Sequence, residues 1–339
     1  MTELRTHPGA PDADVRTEWE LLLEEDPAAT IFQGPRYLRR WQETLGCGTP
    51  TRVHTVHRDG RMIGVIPDAN HRSGSPNGPE EIRRFQGGTE VTDYLGPVSR
   101  PEDRVDVAAA YVGNLASDVD WDEFVAGGLA ADSGWPDAFR LAVDAAGLRL
   151  LDDRVEDVCP RVQLPGDHDT YLDALPGKSR QELTRKTRKL AREAGELELI
   201  EVPPAEIRGR LEAFLDQAEE SSPEKGGFFG RQEMQAWFAA LADEFVDDGA
   251  FRLHELHVGG LPAASTVSLV GRGEWGLYNS AFDPALGSLA PGVVIVGLLI
   301  ERAIEEGIAV FDLLRGDEAY KYRFGAQDRE LRRLTVVRS

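Results

Sequence analysis

The chain has 339 residues with 59 acidic against 38 basic side chains, a net charge of −21, and 41% of it is hydrophobic. That length exceeds what one core usually fills and predicts two domains, divided as 1–158 and 159–339 with the junction inside 154–166. The longest aliphatic run, 293–300, is far short of the roughly 20 residues a membrane span needs, and the polar, acidic first twenty residues carry no secretory pattern, so a soluble cytoplasmic protein without a membrane span is expected.

In chain order, 15–23 and 35–45 have helical periodicity. Residues 51–57 alternate, Asp59-Gly60 is a hairpin signal and 61–66 returns. Strands are expected at 82–86 and 94–98, then a helix at 104–116, a strand at 121–126 and a helix at 136–146. The second half repeats this grammar. Strands at 251–258, 262–270 and 275–282 are joined by Gly259-Gly260 and by 271–273. Pro291-Gly292 opens an apolar helix that runs to Glu306, with Gly307 just past its end. A short buried strand at 308–313, a helix near 317–324 and a strand at 331–337 close the chain. Two meanders, each followed by helix, strand, helix and strand, predict a duplicated α/β (α+β) architecture, although no residue-by-residue match between the halves is evident.

Only five of the bases are lysine. Scattered carboxylates with arginine in place of lysine suit a salt-rich, halophilic-type cytoplasm, where screening removes the self-repulsion. Cys47 and Cys159 form neither a metal knuckle nor a disulfide framework and read as buried small hydrophobes. His54 and His57, like His254 and His257, are three apart in expected strands, so their side chains point to opposite faces and no shared metal is expected. No nucleophile elbow, Walker loop or paired Cys-x-x-Cys is present.

The stretches FDLLRGDEAYKYRFG at 311–325, LYNSAFDP at 277–284 and KSRQELTRKTRKLAREAG at 178–195, with FQGPRYLRRW and VTDYLGPV more faintly in the first half, resemble the Fem-related branch of the GNAT acyltransferase superfamily. That branch includes CelD-like acetyltransferases linked with polysaccharide synthesis. The resemblance implies tandem GNAT-like domains, each a mixed, mostly antiparallel sheet flanked by helices, and acetyl-CoA or another acyl-CoA as donor. It implies that Tyr320 protonates the leaving thiol and that Lys321 stabilises developing negative charge, against core packing and a solvated surface charge as the alternatives. Asp312 completes the candidate catalytic set. In a strand of otherwise apolar residues its carboxylate needs a partner, with Arg315, Lys321 and Arg323 as the candidates.

GSLAPG at 287–292 corresponds to the turn with which GNAT proteins hold the pyrophosphate of acyl-CoA, and makes Ser288, Leu289, Ala290 and Gly292 the donor-binding candidates. It keeps small residues and a helix start suited to an anion, yet lacks the usual Gln or Arg and the usual glycine spacing. From Lys178 to Arg192 seven bases face one acid, Glu182. On a helix Lys178, Arg185, Lys189 and Arg192 share one face and Leu183, Leu190 and Ala194 the other. Arg180 and Arg185 are the anionic-substrate candidates, with a solvated helix face as the alternative. SSPEKGGFFG at 221–230 reads as a Gly-rich loop between helices, either a connector or a lid whose exposed Phe228 or Phe229 closes over an acceptor.

The function expected is therefore N- or O-acyl transfer to a small-molecule or glycan-precursor acceptor. Two alternatives stand beside it. One is a Fem-type peptidyltransferase using aminoacyl-tRNA, against which the net charge weighs because nucleic-acid affinity depends on phosphate neutralisation. The other is a catalytically degenerate GNAT-fold binding module, which the altered 287–292 turn would suit.

Overall fold

The computed structural model describes residues 2–75 and 78–338. They fall into two compact units, Met1–Val158 with Arg329–Ser339, and Cys159–Asp328. The first begins with β1 (Thr2–Pro8), a strand whose TELRTHP shows no alternating apolar set and so gives no sequence signal. Asp12 caps α1 (Ala13–Glu25) through the Val15 N–H at 2.9 Å. After α2 (Pro35–Glu43), with proline in its first turn, the strands β2 (Thr51–Arg58), β3 (Arg61–Ser75) and β4 (Gly78–Phe85) form a meander. Of the strand expected at 94–98 only β5 (Val98–Ser99) forms, because Gly96, at φ +131°, and Pro97 interrupt the extended run. Then come α3 (Arg104–Ser117), β6 (Glu123–Ala130), α4 (Trp135–Ala145) and β7 (Arg149–Gln163). Cys159 is buried, but Cys47, in the turn after α2, is exposed rather than buried.

The second unit takes the end of β7, then α5 (His168–Ala174), α6 (Gly177–Ala194), β8 (Leu197–Glu201), α7 (Ile207–Ser221), α8 (Pro223–Phe229) and α9 (Gln232–Phe245). The meander β9 (Phe251–Val258), β10 (Leu261–Gly271) and β11 (Glu274–Phe282) follows, with α10 (Pro291–Glu305) and β12 (Val310–Asp312) after it. Residues 223–229 are thus a helix and not a loop. Ser222 caps it through the Lys225 N–H and Pro223 sits in its first turn, so the residues that look like loop punctuation are a helix start. The helix expected at 317–324 shrinks to a 3₁₀ turn, Lys321–Phe324. The last strand, β13 (Gln327–Val337), pairs antiparallel with β6, and its Leu334 and Val336 complete the first unit's core. A linear division at 158/159 therefore misplaces 329–339.

In each unit an edge strand, β1 or β8, pairs with a three-strand meander, and a helix, α3 or α10, crosses to a strand parallel to the meander's last. The other strand pairs described are antiparallel. The duplication reaches further than elements. Arg52, His54 and His57 of β2 have counterparts in Arg252, His254 and His257 of β9, and the tight turns Asp59-Gly60 and Gly259-Gly260 share the left-handed conformation. Both hairpins skip one residue at the same place, Ile63 in the first and Ala263 in the second. This is a residue-by-residue match between the halves, against the expectation of none.

The two hairpins part company at one position. In the first, His54 Nε2 meets Asp68 Oδ2 at 3.0 Å, Thr6 Oγ1 meets His54 Nδ1 at 2.9 Å, and Tyr111 and Arg52 donate to the same carboxylate at 2.8 and 3.1 Å. In the second, Ser268 stands where Asp68 would be. Both ring nitrogens of His254, Thr266 Oγ1, Ser268 Oγ and Trp275 Nε1 are buried there without a hydrogen-bond partner among the described residues. Left dry, five such atoms would cost on the order of 5–15 kcal/mol, as much as the net stability of a domain.

Candidate functional site

The parallel pairing of β11 with β12 lasts three rungs, Glu274–Gly276 against Val310–Asp312. Beyond them β11 runs on to Phe282 with no strand beside that edge among the described residues, while the chain after Asp312 turns away. A bulge adds Tyr278 to β11, since Val267 faces Asn279 and Ser268 faces Leu277. The two strands thus open into a gap. At its far end Phe282 packs against the start of α10, 3.6 Å from where a Cβ on Gly292 would stand.

Asp312 and Lys321 hold the turn that makes the gap. Leu314 has φ +57°, a conformation that costs a branched residue about 1–2 kcal/mol. Its N–H donates to Asp312 Oδ1 at 2.8 Å and its carbonyl accepts from Lys321 Nζ at 2.9 Å, so the strain is held from both sides. Lys321 is buried and its Nζ also donates to Arg315 and Gly316 carbonyls at 2.8 and 3.0 Å, with Glu318 at 2.9 Å. Glycine is required at 316, where φ is +109° and a Cβ would lie 2.6 Å from the Glu318 carboxylate. The ion-pair partner that the structure shows for Asp312 is Arg161 of β7, at 3.2 Å, a residue outside the candidates read from sequence. Its distance along the chain hid it, because only the antiparallel register Asp312↔Arg161 brings the two together.

Tyr320 is placed differently. It packs against the core under α10, and its hydroxyl has no hydrogen-bond partner among the described residues. Burial, aided by the charge of Glu318, pushes its pKa up to about 12, so the phenol keeps its proton at any ordinary pH.

Residues 284–289 form a 3₁₀ turn, Ala290 takes the left-handed conformation, and Pro291 leads α10. Gly292 thereby offers one of the first-turn N–H groups that lack an i−4 acceptor. The basic helix α6 passes beside this turn. Lys189 Nζ donates to the Ser288 carbonyl at 3.3 Å, and one face of α6 buries Leu190 and packs Leu183 and Ala194 on the core. Two turns earlier on the same helix Glu182 meets Arg323 at 3.4 Å. Thus α6 joins the turn before α10 to the segment that carries Tyr320 and Lys321. Arg185 is exposed with no ion pair among the described residues, whereas Arg180 pairs with Asp173 at 2.5 Å. The aromatic lid does not exist in the form expected. Phe229 is 1% exposed and packs on Phe214 and Phe238, and Phe228 is half-buried under Arg231. Among the described residues no group of three His, Cys, Asp or Glu side chains is arranged to hold a metal.

Residues 177–322 match the family model described as acetyltransferase (GNAT) domain. These residues form a GNAT domain. Solved structures extend the likeness to nearly the whole chain. FemX superposes with a TM-score of 0.65 at 12% identity, covering 97% of this chain and 96% of its own. The C-terminal domain of a putative lysylphosphatidylglycerol synthetase from Agrobacterium fabrum gives 0.58 at 14%, covering 96% and 91%. A tandem GNAT protein from the clavulanic acid biosynthesis pathway gives 0.52 at 16%, covering 98% of each chain. The architecture is therefore the tandem GNAT fold, and the resemblance to the Fem-related branch holds at the level of the fold. No curated protein matches the sequence. Among the described residues no helix is long and apolar enough to cross a membrane.

Proposed function

We propose that the second unit transfers an acyl group from a thioester donor, acetyl-CoA or another acyl-CoA, to the amine or hydroxyl of a small-molecule or glycan-precursor acceptor. The observation that carries this reading is the gap between β11 and β12, at whose far end Phe282 meets the N-terminal turn of α10; Tyr320, whose hydroxyl has no hydrogen-bond partner among the described residues, packs on the core that α10 completes. Residues 288–292 and Lys189 meet the donor's phosphates. Tyr320, with its raised pKa, gives its proton to the departing thiolate. Asp312, Arg161 and Lys321 position the turn rather than touch the reacting atoms.

Calorimetry with CoA and acetyl-CoA on the full chain tests this reading. Saturable binding is expected, with Lys189→Ala weakening it about fivefold, in line with loss of one exposed phosphate contact. Absence of binding for both ligands would overturn it. The unpaired cations of α6, Arg185 and Arg188, favour a second reading in which the donor is an aminoacyl-tRNA; tRNA binding without CoA binding identifies that case. Silence with all three ligands leaves the binding module.

A further inference from the structure

Four polar side chains stand on one rung of the second unit's sheet. Glu201 of β8 is the direct cross-strand partner of His254 on β9, His254 of Thr266 on β10, and Thr266 of Ser280 on β11. Direct partners share a face of a sheet. Here that face is the one under α10, because Leu256 and Ala264, one pleat along, belong to the core that α10 completes. Phe282, one pleat beyond Ser280, touches the α10 start.

The rung is polar at every station, yet the structure shows no direct hydrogen bond between any two of its members. Among the described residues the side chains of His254, Thr266 and Ser280 have no hydrogen-bond partner, and Glu201 Oε2 lies 3.9 Å from His254 Nε2. Adjacent strands are about 4.8 Å apart, a spacing that one water between neighbours bridges. Ser268 Oγ and Trp275 Nε1, also unpartnered, supply further anchors for such water. One end of the rung is the exposed Glu201 beside Arg302. The other is Ser280, on the stretch of β11 beyond its pairing with β12, where Lys225 Nζ donates to the Ser280 carbonyl, inside the proposed site. The first unit is an internal control: its equivalent histidine is closed off by Asp68, and its rung continues into Ile66.

We propose that Glu201, His254, Thr266 and Ser280, linked by buried water, form the proton outlet of the acyl-transfer site. This rests on the proposed function. As the acceptor nitrogen or oxygen bonds to the acyl carbon and the carbon–sulfur bond breaks, the acceptor loses one proton. Water at Ser280 takes it, each member of the rung passes one proton on as it receives one, and Glu201 releases a proton to solvent. The departing thiolate takes its proton from Tyr320, which is replenished from solvent. Burial, with Arg252 nearby, holds the His254 pKa down at about 4, so at neutral pH the ring has one donor and one acceptor nitrogen and can relay without storing charge.

Two measurements on the full chain decide the matter. A crystal structure at atomic resolution should show ordered water joining Ser280, Thr266, His254 and Glu201; a dry or interrupted rung overturns the proposal. With acetyl-CoA and a panel of amine and alcohol acceptors, Thr266→Val should lower kcat at least about tenfold with KM unchanged, and Thr266→Ser, which keeps the hydroxyl, should restore it. Equal kcat in parent and Thr266→Val overturns the outlet while leaving the acyltransferase reading intact. A parent chain that neither binds nor turns over any thioester overturns both.

Discussion

Lys321 is bound on all sides by oxygen: three carbonyls of residues 314–316 and the Glu318 carboxylate. Replacing it with methionine leaves those buried carbonyls without a donor, and at about 1–3 kcal/mol for a group left unsatisfied the second unit should lose about 2–4 kcal/mol in a denaturant titration. Tyr320 makes the opposite case. Since its hydroxyl bonds to nothing described, Tyr320→Phe should change stability by less than about 0.5 kcal/mol while lowering turnover with acetyl-CoA about 10- to 100-fold. The sign of the pH dependence follows from its raised pKa. The protonated phenol is the active form, and with a pKa near 12 it stays protonated, so kcat should show no loss attributable to Tyr320 between pH 7 and 10. That Asp312 needs a partner was legible from the cost of burying a carboxylate. That Lys321 is a clamp was not, because its partners are backbone carbonyls that converge only once Leu314 adopts a positive φ.

The hairpins β2–β3 and β9–β10 show how far one element can diverge while keeping its register. Asp68 sits fully buried among His54, Tyr111, Arg52 and Arg83. Burial alone would raise its pKa, but the hydrogen bond and charge of His54 and the two guanidinium groups outweigh that and lower it. Its contribution to stability is therefore complete above the ordinary aspartate value near 4 and is lost as pH falls through the lower folded-state value. Asp68→Ala, which strands His54 and two arginines, should cost about 3–5 kcal/mol, read as a fall in the first unit's unfolding midpoint at pH 7. Periodicity and turn signals made the second-half meander, α6 and α10 legible. They failed at α8, where Ser222 and Pro223 open a helix rather than mark a loop, and at β1, an edge strand with no buried stripe.

A molecule of charge −21 repels itself wherever salt is scarce. Raising ionic strength from 0.1 M to 1 M shortens the screening length from about 10 Å to about 3 Å, so the unfolding temperature should rise over that range; a fall would show that its attractive ion pairs outweigh the repulsion. The placement of β13 gives a second test at this scale. Deleting 329–338 removes Leu334 and Val336 from the first unit's core and should unfold that unit while leaving the circular-dichroism and fluorescence transition of the second in place.

Composition, periodicity and local turn chemistry by themselves determined that this chain would build duplicated α/β units, where most strands and helices would lie, and that a basic helix would run against a strongly acidic background. These are properties of residues within a turn or a strand of one another, so a linear reading reaches them. Tertiary structure alone decided which strand closes which unit, that Arg161 would meet Asp312, that Phe229 would be core, and that Glu201, His254, Thr266 and Ser280 would share a rung. Each depends on strand register and on partners up to 214 residues apart, as Val337 and Glu123 are, and a one-residue slip in register would turn every such side chain to the opposite face.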